Sequence, residues 1–358
     1  MNFYNFTNLK NTLINEAKKE SYPLSFTFEL TPYCNLNCKM CYIHLEKEEN
    51  FKKLLTIKQW IELIDKAYEN GMVFALLTGG EVMTYKGWEE IYKHLLDIGV
   101  YVRIKTNGLL LNEKNIDFFK KYTPYGINIS VYGGSEDAYE AVTGFRVFSK
   151  VRENIELAKK ANLPINIALT LSHHMLPYFK ETIEYIYSTN LNCGMSPFPH
   201  QANENTGRNF NTYNVSLEEA ISCIEQKLEL EYKKNGDLLK KTANYKDGDI
   251  KKGLLCGAGI CSCCIGWDGY MHACANYRGL GYNAVEIGVK KAWKMLSKTV
   301  SSYEIPGQCC KCELFKEKHC TFCPIEHGCK FGEKFKVNNE ICSRRKKIYS
   351  KFNLEKNK

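Results

Sequence analysis

The chain has 358 residues, 44% hydrophobic and 25% charged, with a formal net charge of +9. That length buries a substantial core, and the composition is that of a globular protein rather than a disordered or fibrous one. No apolar run approaches the roughly 20 residues that span a bilayer, and the opening "MNFYNFTNLKNTLINEAKKE" lacks the apolar stretch of a secretion signal.

A cytoplasmic protein with no membrane partner is therefore expected. In that reducing compartment the 17 cysteines read as metal ligands or redox groups, not as disulfides. Twelve fall between Cys256 and Cys342, three cluster at Cys34, Cys38 and Cys41, and Cys193 and Cys223 stand alone. Lys and Arg are scattered and gather only in short runs such as "SRRKK", the pattern of a solvated face. No groove-reading motif accompanies the charge, so no nucleic-acid partner is expected.

In chain order, residues 1–24 form a helical lead-in. Strands follow at "LSFTFEL" (24–30), "MVFALLTG" (72–79), "YVRIKTN" (101–107), "GINISVY" (126–132), "INIALTL" (165–171) and "LNCGMSPF" (191–198). Between them run amphipathic helical patterns. The first is "TIKQWIELIDKAYENG", with Thr56 and Gln59 as a capping box and Gly71 as the C-cap. Others are "GWEEIYKHLLDIG", "NEKNIDFFKKY", "FSKVRENIELAKKAN" and "LPYFKETIEYIYSTN". Nearly continuous apolar strands alternating with helices predict an α/β fold with a parallel sheet buried on both faces. Six units over 25–200 suit a partial, TIM-like (β/α)6 barrel, with chemistry at the C-terminal ends of the strands. Residues 201–255 read as a connector. Residues 256–342 form a small cysteine-rich domain in which metal ligation replaces a conventional core, and 343–358 form a basic tail.

The segment "TPYCNLNCKMCYIH" (31–44) follows the first strand. A structural zinc site needs four ligands, and Cys34, Cys38 and Cys41 offer three. His44 is close but at no familiar zinc spacing, so zinc completed by His44 or a distant residue is one reading. The other is a [4Fe–4S] cluster with three irons held by thiolates and the fourth open to a small molecule.

The CxxxCxxC of Cys34, Cys38 and Cys41, with Tyr42 beside the last cysteine, resembles the signature of radical S-adenosylmethionine (SAM) enzymes. That resemblance implies a cluster whose open iron chelates SAM and cleaves it reductively to a 5′-deoxyadenosyl radical. "GGE" after strand two matches the family's second motif: Gly79 and Gly80 would admit the methionyl part of SAM, and Glu81 would accept from its amino group. By the same resemblance Ser130, near the end of strand four, would touch the ribose or carboxylate. Arg146 would pair with the carboxylate or lie exposed at the surface. Asn107 reads first as a turn residue and second as a site residue.

Farther on, "CGAGICSCCIGWDGYMHAC" and "CCKCELFKEKHCTFC" resemble the two halves of a SPASM domain. This implies two auxiliary [4Fe–4S] clusters. One would use Cys256, Cys274, Cys323 and one of Cys261, Cys263 or Cys264; the other would use Cys309, Cys312, Cys320 and Cys342. The Cys312–Cys320 gap is longer than the family's, the Cys320–Cys323 gap is shorter, and Cys310 and Cys329 are extra. A zinc site on Cys309, Cys312, Cys320 and Cys323 is the competing assignment.

The resemblance implies a radical SAM maturase that abstracts a hydrogen from a peptide or protein and forms a thioether or carbon–carbon cross-link. A low-potential donor of flavodoxin or ferredoxin type would supply electrons. Only about 24 residues precede the first strand, too few for a peptide-recognition domain, so the precursor would be presented by a separate carrier or bound directly by the barrel and the 201–255 connector. An anaerobic sulfatase-maturase-like dehydrogenase of a Cys or Ser side chain is the alternative. Against it, Cys274 is followed by Ala275 where sulfatase maturases carry aspartate. A zinc-binding interaction protein without catalysis is the alternative of another class. His173 and His174 read as loop residues, Cys193 as a small core hydrophobe, and Asp268, Gly269 and Tyr270 as a hairpin.

Overall fold

In a computed structural model the described residues are 3–43, 45, 54–200, 208–235, 256–278, 281–317, 319–329 and 334–354. The elements begin with α1 (Phe3–Glu20), β1 (Ser25–Glu29), α2 (Ile57–Glu69), β2 (Phe74–Thr78), α3 (Trp88–Asp97) and β3 (Tyr101–Thr106). They continue with α4 (Glu113–Lys121), β4 (Gly126–Ser130), α5 (Glu136–Thr143), α6 (Phe148–Lys160), β5 (Ile165–Thr170), α7 (Phe179–Ser188) and β6 (Cys193–Ser196). Next come α8 (Phe210–Tyr213), α9 (Leu217–Asn235), β7 (Ser262–Ile265), β8 (Tyr270–His272), β9 (Tyr282–Asn283), α10 (Ala284–Ile287) and α11 (Val289–Ser301). The chain ends in α12 (Gly307–Lys311), α13 (Glu313–Lys316) and α14 (Asn339–Leu354).

Two compact units share these elements. One comprises residues 28–57 and 75–241, the other 1–27, 58–74 and 242–358. In the first, the strands run β6-β5-β4-β3-β2-β1, and β3 to β6 pair in parallel. All six expected strands are present, and the fold is α/β. The expectation of burial on both faces needs correction. β5 alternates strictly, with Ile165, Ile167 and Leu169 buried and Asn166, Ala168 and Thr170 half-buried. β3 alternates as well, with Val102, Ile104 and Thr106 buried while Tyr101 and Lys105 are exposed. One face therefore packs and the other is left polar and accessible, as the inner face of an open barrel must be if it is to admit a substrate. Register places Lys105, Asn128 and Asn166 in one row across β3, β4 and β5.

Helix α5 is absent from the sequence expectation. Ser135 caps it by accepting from the Ala138 amide at 3.2 Å, and Gly144 ends it in the left-handed region. Its eight residues are too few for a periodic signal to stand out.

The other unit contains α1, α2 and the segment from 256 onward. α2 buries Trp60, Leu63, Ile64 and Ala67, the i, i+3, i+4, i+7 face of an amphipathic helix. Gly71, at φ +99°, follows it as expected. β7 and β8 form an antiparallel hairpin, and at its turn Asp268 Oδ1 accepts from the Tyr270 amide. α11 corrects the view that this segment lacks an apolar core. It buries Val289, Ala292, Trp293, Leu296 and Val300, and Trp293 Nε1 donates to the Ser21 carbonyl at 2.9 Å. Burial of such side chains contributes about 1.5–3 kcal/mol each. The expected basic tail continues as α14 through Leu354. Among the described residues no helix is long and apolar enough to cross a membrane.

Candidate metal centres

The loop after β1 carries Cys34, Cys38 and Cys41. It is pinned from several sides: the Asn37 and Lys39 amides donate to the Thr143 and Val142 carbonyls, and the Cys41 amide turns back to Cys38 O. Leu36, Met40 and Ile43 are buried beneath it. Tyr42 anchors the loop's far end, its hydroxyl donating to Glu29 Oε1 at 3.2 Å. The three thiols sense one another's charge. Burial pushes the Cys34 thiol up to about 12, with Glu81 and Cys41 adding and the Leu36 amide and Asn107 opposing. Burial raises Cys38 further, with Cys41 and Cys34 adding. Without a metal Cys34 and Cys38 are held as neutral thiols; a bound cation is what lets them ionise.

The Gly79-Gly80-Glu81 turn serves this loop directly. The Gly80 amide donates to Thr31 O at 2.7 Å, and the Glu81 amide donates to Tyr33 O at 2.8 Å. A Cβ on Gly80 would lie 2.2 Å from Tyr33 O, and one on Gly79 would lie 2.5 Å from Thr31 O. The close approach that demands glycine is thus made by the chain's own residues 31–33. Glu81 is fully buried, and its carboxylate is already engaged. Oε1 accepts from the Thr106 hydroxyl at 2.9 Å and the Met83 amide at 3.2 Å, while Oε2 accepts from the Asn107 amide at 2.7 Å. The residues expected to meet SAM thus also hold the chain's own residues 31, 33, 83, 106 and 107 in place.

Asn107 is more than a turn residue. Its side-chain Nδ2 donates to Asn35 Oδ1 at 2.7 Å and to Cys34 Sγ at 3.6 Å, so Glu81, Asn107 and Cys34 form one chain of contacts. Ser130 is buried at the end of β4, close to the Tyr132 hydroxyl, which also bonds with Cys38. Arg146 is not brought to this group. Its guanidinium is exposed and pairs with Asp137 at 2.5 Å and Glu140 at 2.9 Å. The cations that the thiols do sense are Lys105, near Cys41, and Arg208, near Cys38. Arg208 donates to Asn37 Oδ1. Lys105 and Tyr132 were missed by the sequence reading, although each lies two residues from a named site residue, on the same face of its strand. His173 faces Glu219 at 3.8 Å. His44 lies outside the described residues.

In the other unit the thiols form two groups. Cys261, Cys274 and Cys323 each sense Cys256. Cys264 senses Cys263 and Cys274 instead, and both Cys263 and Cys264 are buried in β7. Of the three candidates for the fourth position, Cys261 is therefore the one facing Cys256. The second group lines a cavity of about 630 Å³ whose walls include Cys309, Cys312, Cys320 and Cys342. Cys309 senses the other three. The two extra cysteines are turned to the backbone: Cys310 Sγ lies 3.8 Å from Ile305 O, and Cys329 Sγ accepts from the Lys336 amide at 3.3 Å.

Among the described residues no three of His, Cys, Asp or Glu are close enough to enclose a single metal ion. Multi-iron clusters spread their thiolates wider than one ion does, and an all-thiol donor set suits iron–sulfur chemistry. Three such groups, one with three thiols and two with four, fit it.

Comparison with known proteins agrees with this chemistry. Residues 28–189 match the radical SAM superfamily. The chain is 26% identical over 167 residues to the sporulation killing factor maturation protein SkfB of Bacillus subtilis, covering 46% of this chain and 40% of that protein. It is 27% identical over 167 residues to the PqqA peptide cyclase of Bradyrhizobium diazoefficiens, covering 45% and 43%. The matches thus span less than half the length of these relatives. Streptococcus suis SuiB bound to S-adenosylmethionine superposes with a TM-score of 0.68 at 16% identity, over 91% of this chain and 80% of that one. The anSMEcpe protein with bound AdoMet and the Cp18Cys peptide gives 0.70 at 16% identity, over 92% and 96%. The part of the chain that matches the radical SAM superfamily, residues 28–189, holds the three-cysteine loop and the Gly-Gly-Glu turn.

Proposed function

We propose that the protein is a radical SAM maturase of peptides, forming a thioether or carbon–carbon cross-link. The observation that carries this is the mutual electrostatic reach of the Cys34, Cys38 and Cys41 thiols in a loop that the radical SAM match covers. The peptide class of substrate is supported by the names of similar proteins, a sporulation killing factor maturation protein and a peptide cyclase.

A [4Fe–4S] cluster on Cys34, Cys38 and Cys41, with SAM, would supply the electron that generates a carbon radical from SAM. The chain's own residues set the stage. Asn107, held by Glu81, donates to Cys34 and stabilises its thiolate. The Tyr132 hydroxyl does the same for Cys38. Lys105, on the accessible face of β3, places an ammonium near Cys41 and faces a carboxylate-bearing ligand in the position first expected of Arg146. Asn128 and Asn166, in register with Lys105, offer amide donors and acceptors along the same row.

Cys256, Cys261, Cys274 and Cys323, and separately Cys309, Cys312, Cys320 and Cys342, would hold two auxiliary clusters that accept an electron from the product radical or bind a substrate thiol. The proposed organisation is a barrel over 25–200 followed by a connector and an auxiliary domain over 256–342. A flavodoxin- or ferredoxin-type donor, a separate peptide carrier and a cytoplasmic setting complete the proposal. Ala275 offers no side chain to take a proton, which weighs against the sulfatase-maturase-like dehydrogenase.

Anaerobic purification with iron and sulfide analysis tests the reading. About twelve irons per chain are expected for three clusters, and colourless protein with stoichiometric zinc would refute it. Mass spectrometry of a candidate precursor after incubation with SAM and reductant then identifies the bond.

A further inference from the structure

Residues 344–347 read Arg-Arg-Lys-Lys, which by sequence alone belongs to a solvated helix face. Arg345 departs from that pattern. Its side chain is only 27% exposed. Nη1 donates to Cys320 Sγ at 3.7 Å, and Nη2 donates to the Glu326 carboxylate. Arg344 instead pairs with Glu340 at 3.6 Å, and Lys346 lines the four-thiol cavity. Desolvation works against the Arg345 charge, and Glu326 and Cys320 more than offset it. In return Arg345 opposes the rise that burial imposes on the Cys320 thiol.

A guanidinium is always charged and presents a rigid fork of donors. Here one branch of the fork is committed to a carboxylate, so the other is held on the sulfur. Hydrogen bonds to ligand sulfurs and nearby net charge are the protein's means of setting a cluster's potential. Reduction adds one electron and therefore negative charge, which a donor and a cation both favour.

We infer that Arg345, held in place by Glu326, is a positioning residue that raises the reduction potential of the cluster on Cys309, Cys312, Cys320 and Cys342. This rests on the proposed reading of those four thiols as a cluster site.

The test is a potentiometric titration with dithionite, followed by electron paramagnetic resonance, on full-length protein. Cys34, Cys38 and Cys41 are replaced by Ala in this background so that only auxiliary signals remain. Arg345→Gln is expected to move one of the two auxiliary midpoints to more negative potential. Arg345→Lys, which keeps the charge but loses the fork, should move it less in the same direction. Glu326→Gln removes a negative charge beside the site and should move it to more positive potential. Opposite signs from the two partners of one ion pair are not what a merely structural clamp would produce. Unchanged midpoints in Arg345→Gln and Arg345→Lys, or a shift of the same sign in Glu326→Gln, would overturn the inference alone. If Arg345→Gln does not retain iron, the opposed signs of Arg345→Lys and Glu326→Gln decide the matter. Iron content that is unchanged by Cys320→Ala would overturn the cluster reading and the inference with it.

Discussion

Glu81→Gln isolates what the Gly-Gly-Glu turn does. Its carboxylate is fully buried and meets only donors: the Thr106 hydroxyl and Met83 amide on one oxygen, the Asn107 amide on the other. A glutamine amide cannot reproduce this. Whichever way it turns, its NH2 faces a donor, either the Asn107 amide or the Met83 amide and Thr106 hydroxyl. The Thr106 oxygen is itself already an acceptor from the Gly108 amide at 3.1 Å. At least one charge-assisted bond is lost and one buried donor is left unmatched. Such bonds are worth about 1.5–3 kcal/mol and an unmatched buried group costs about 1–3 kcal/mol, so a loss of about 2–4 kcal/mol is expected. Chemical denaturation of the apo-protein measures it, with a shifted midpoint at unchanged slope. The same variant should hold less iron on the first site, because Asn107 loses its anchor and Cys34 its donor. Stability within about 0.5 kcal/mol of wild type, coupled with weakened SAM binding, would refute the reasoning and return Glu81 to the role of a SAM ligand.

Other outcomes follow from the same geometry. Gly80→Ala puts a Cβ 2.2 Å from Tyr33 O, so residues 31–33 must move and iron on the first site should be lost. Gly99→Ala, with open space around its Cβ but φ +85°, should cost only about 1–2 kcal/mol by denaturation and leave iron content unchanged. Replacing Cys34, Cys38 and Cys41 by Ala should abolish reductive SAM cleavage yet retain about eight of about twelve irons, read by elemental analysis. In the apo-protein the Cys34 thiol titrates near 12, above the free-thiol value of about 8.5. The fold therefore holds that proton more tightly than the unfolded chain does. Its contribution to apo stability is complete below about pH 8.5 and is lost as pH rises toward 12. Cluster loading displaces the same protons and should tighten as pH rises, which reconstitution at pH 7 and pH 8.5 compares.

The local code was readable in the order of residues. Period-two and period-3.6 apolar patterns placed all six strands and most helices of the first unit. The cysteine spacing placed a three-thiol loop at the end of β1, and the resemblance to a SPASM domain implied two further groups from 256 onward. What the linear order could not express is which groups meet. Only tertiary packing brought Glu81 onto Thr106, Met83 and Asn107. It also committed Arg146 to Asp137 and Glu140, and set Cys261, rather than Cys263 or Cys264, within reach of Cys256. The basic run at 344–347 shows the limit most clearly. Its composition describes a solvated surface, yet Arg344 is largely covered, and Arg345 is held by a carboxylate and a sulfur that lie 19 and 25 positions away in sequence. Hydrophobic periodicity and ligand spacing are local properties that survive in one dimension, whereas hydrogen-bond partnership and burial of charge depend on distances that exist only once the chain has folded.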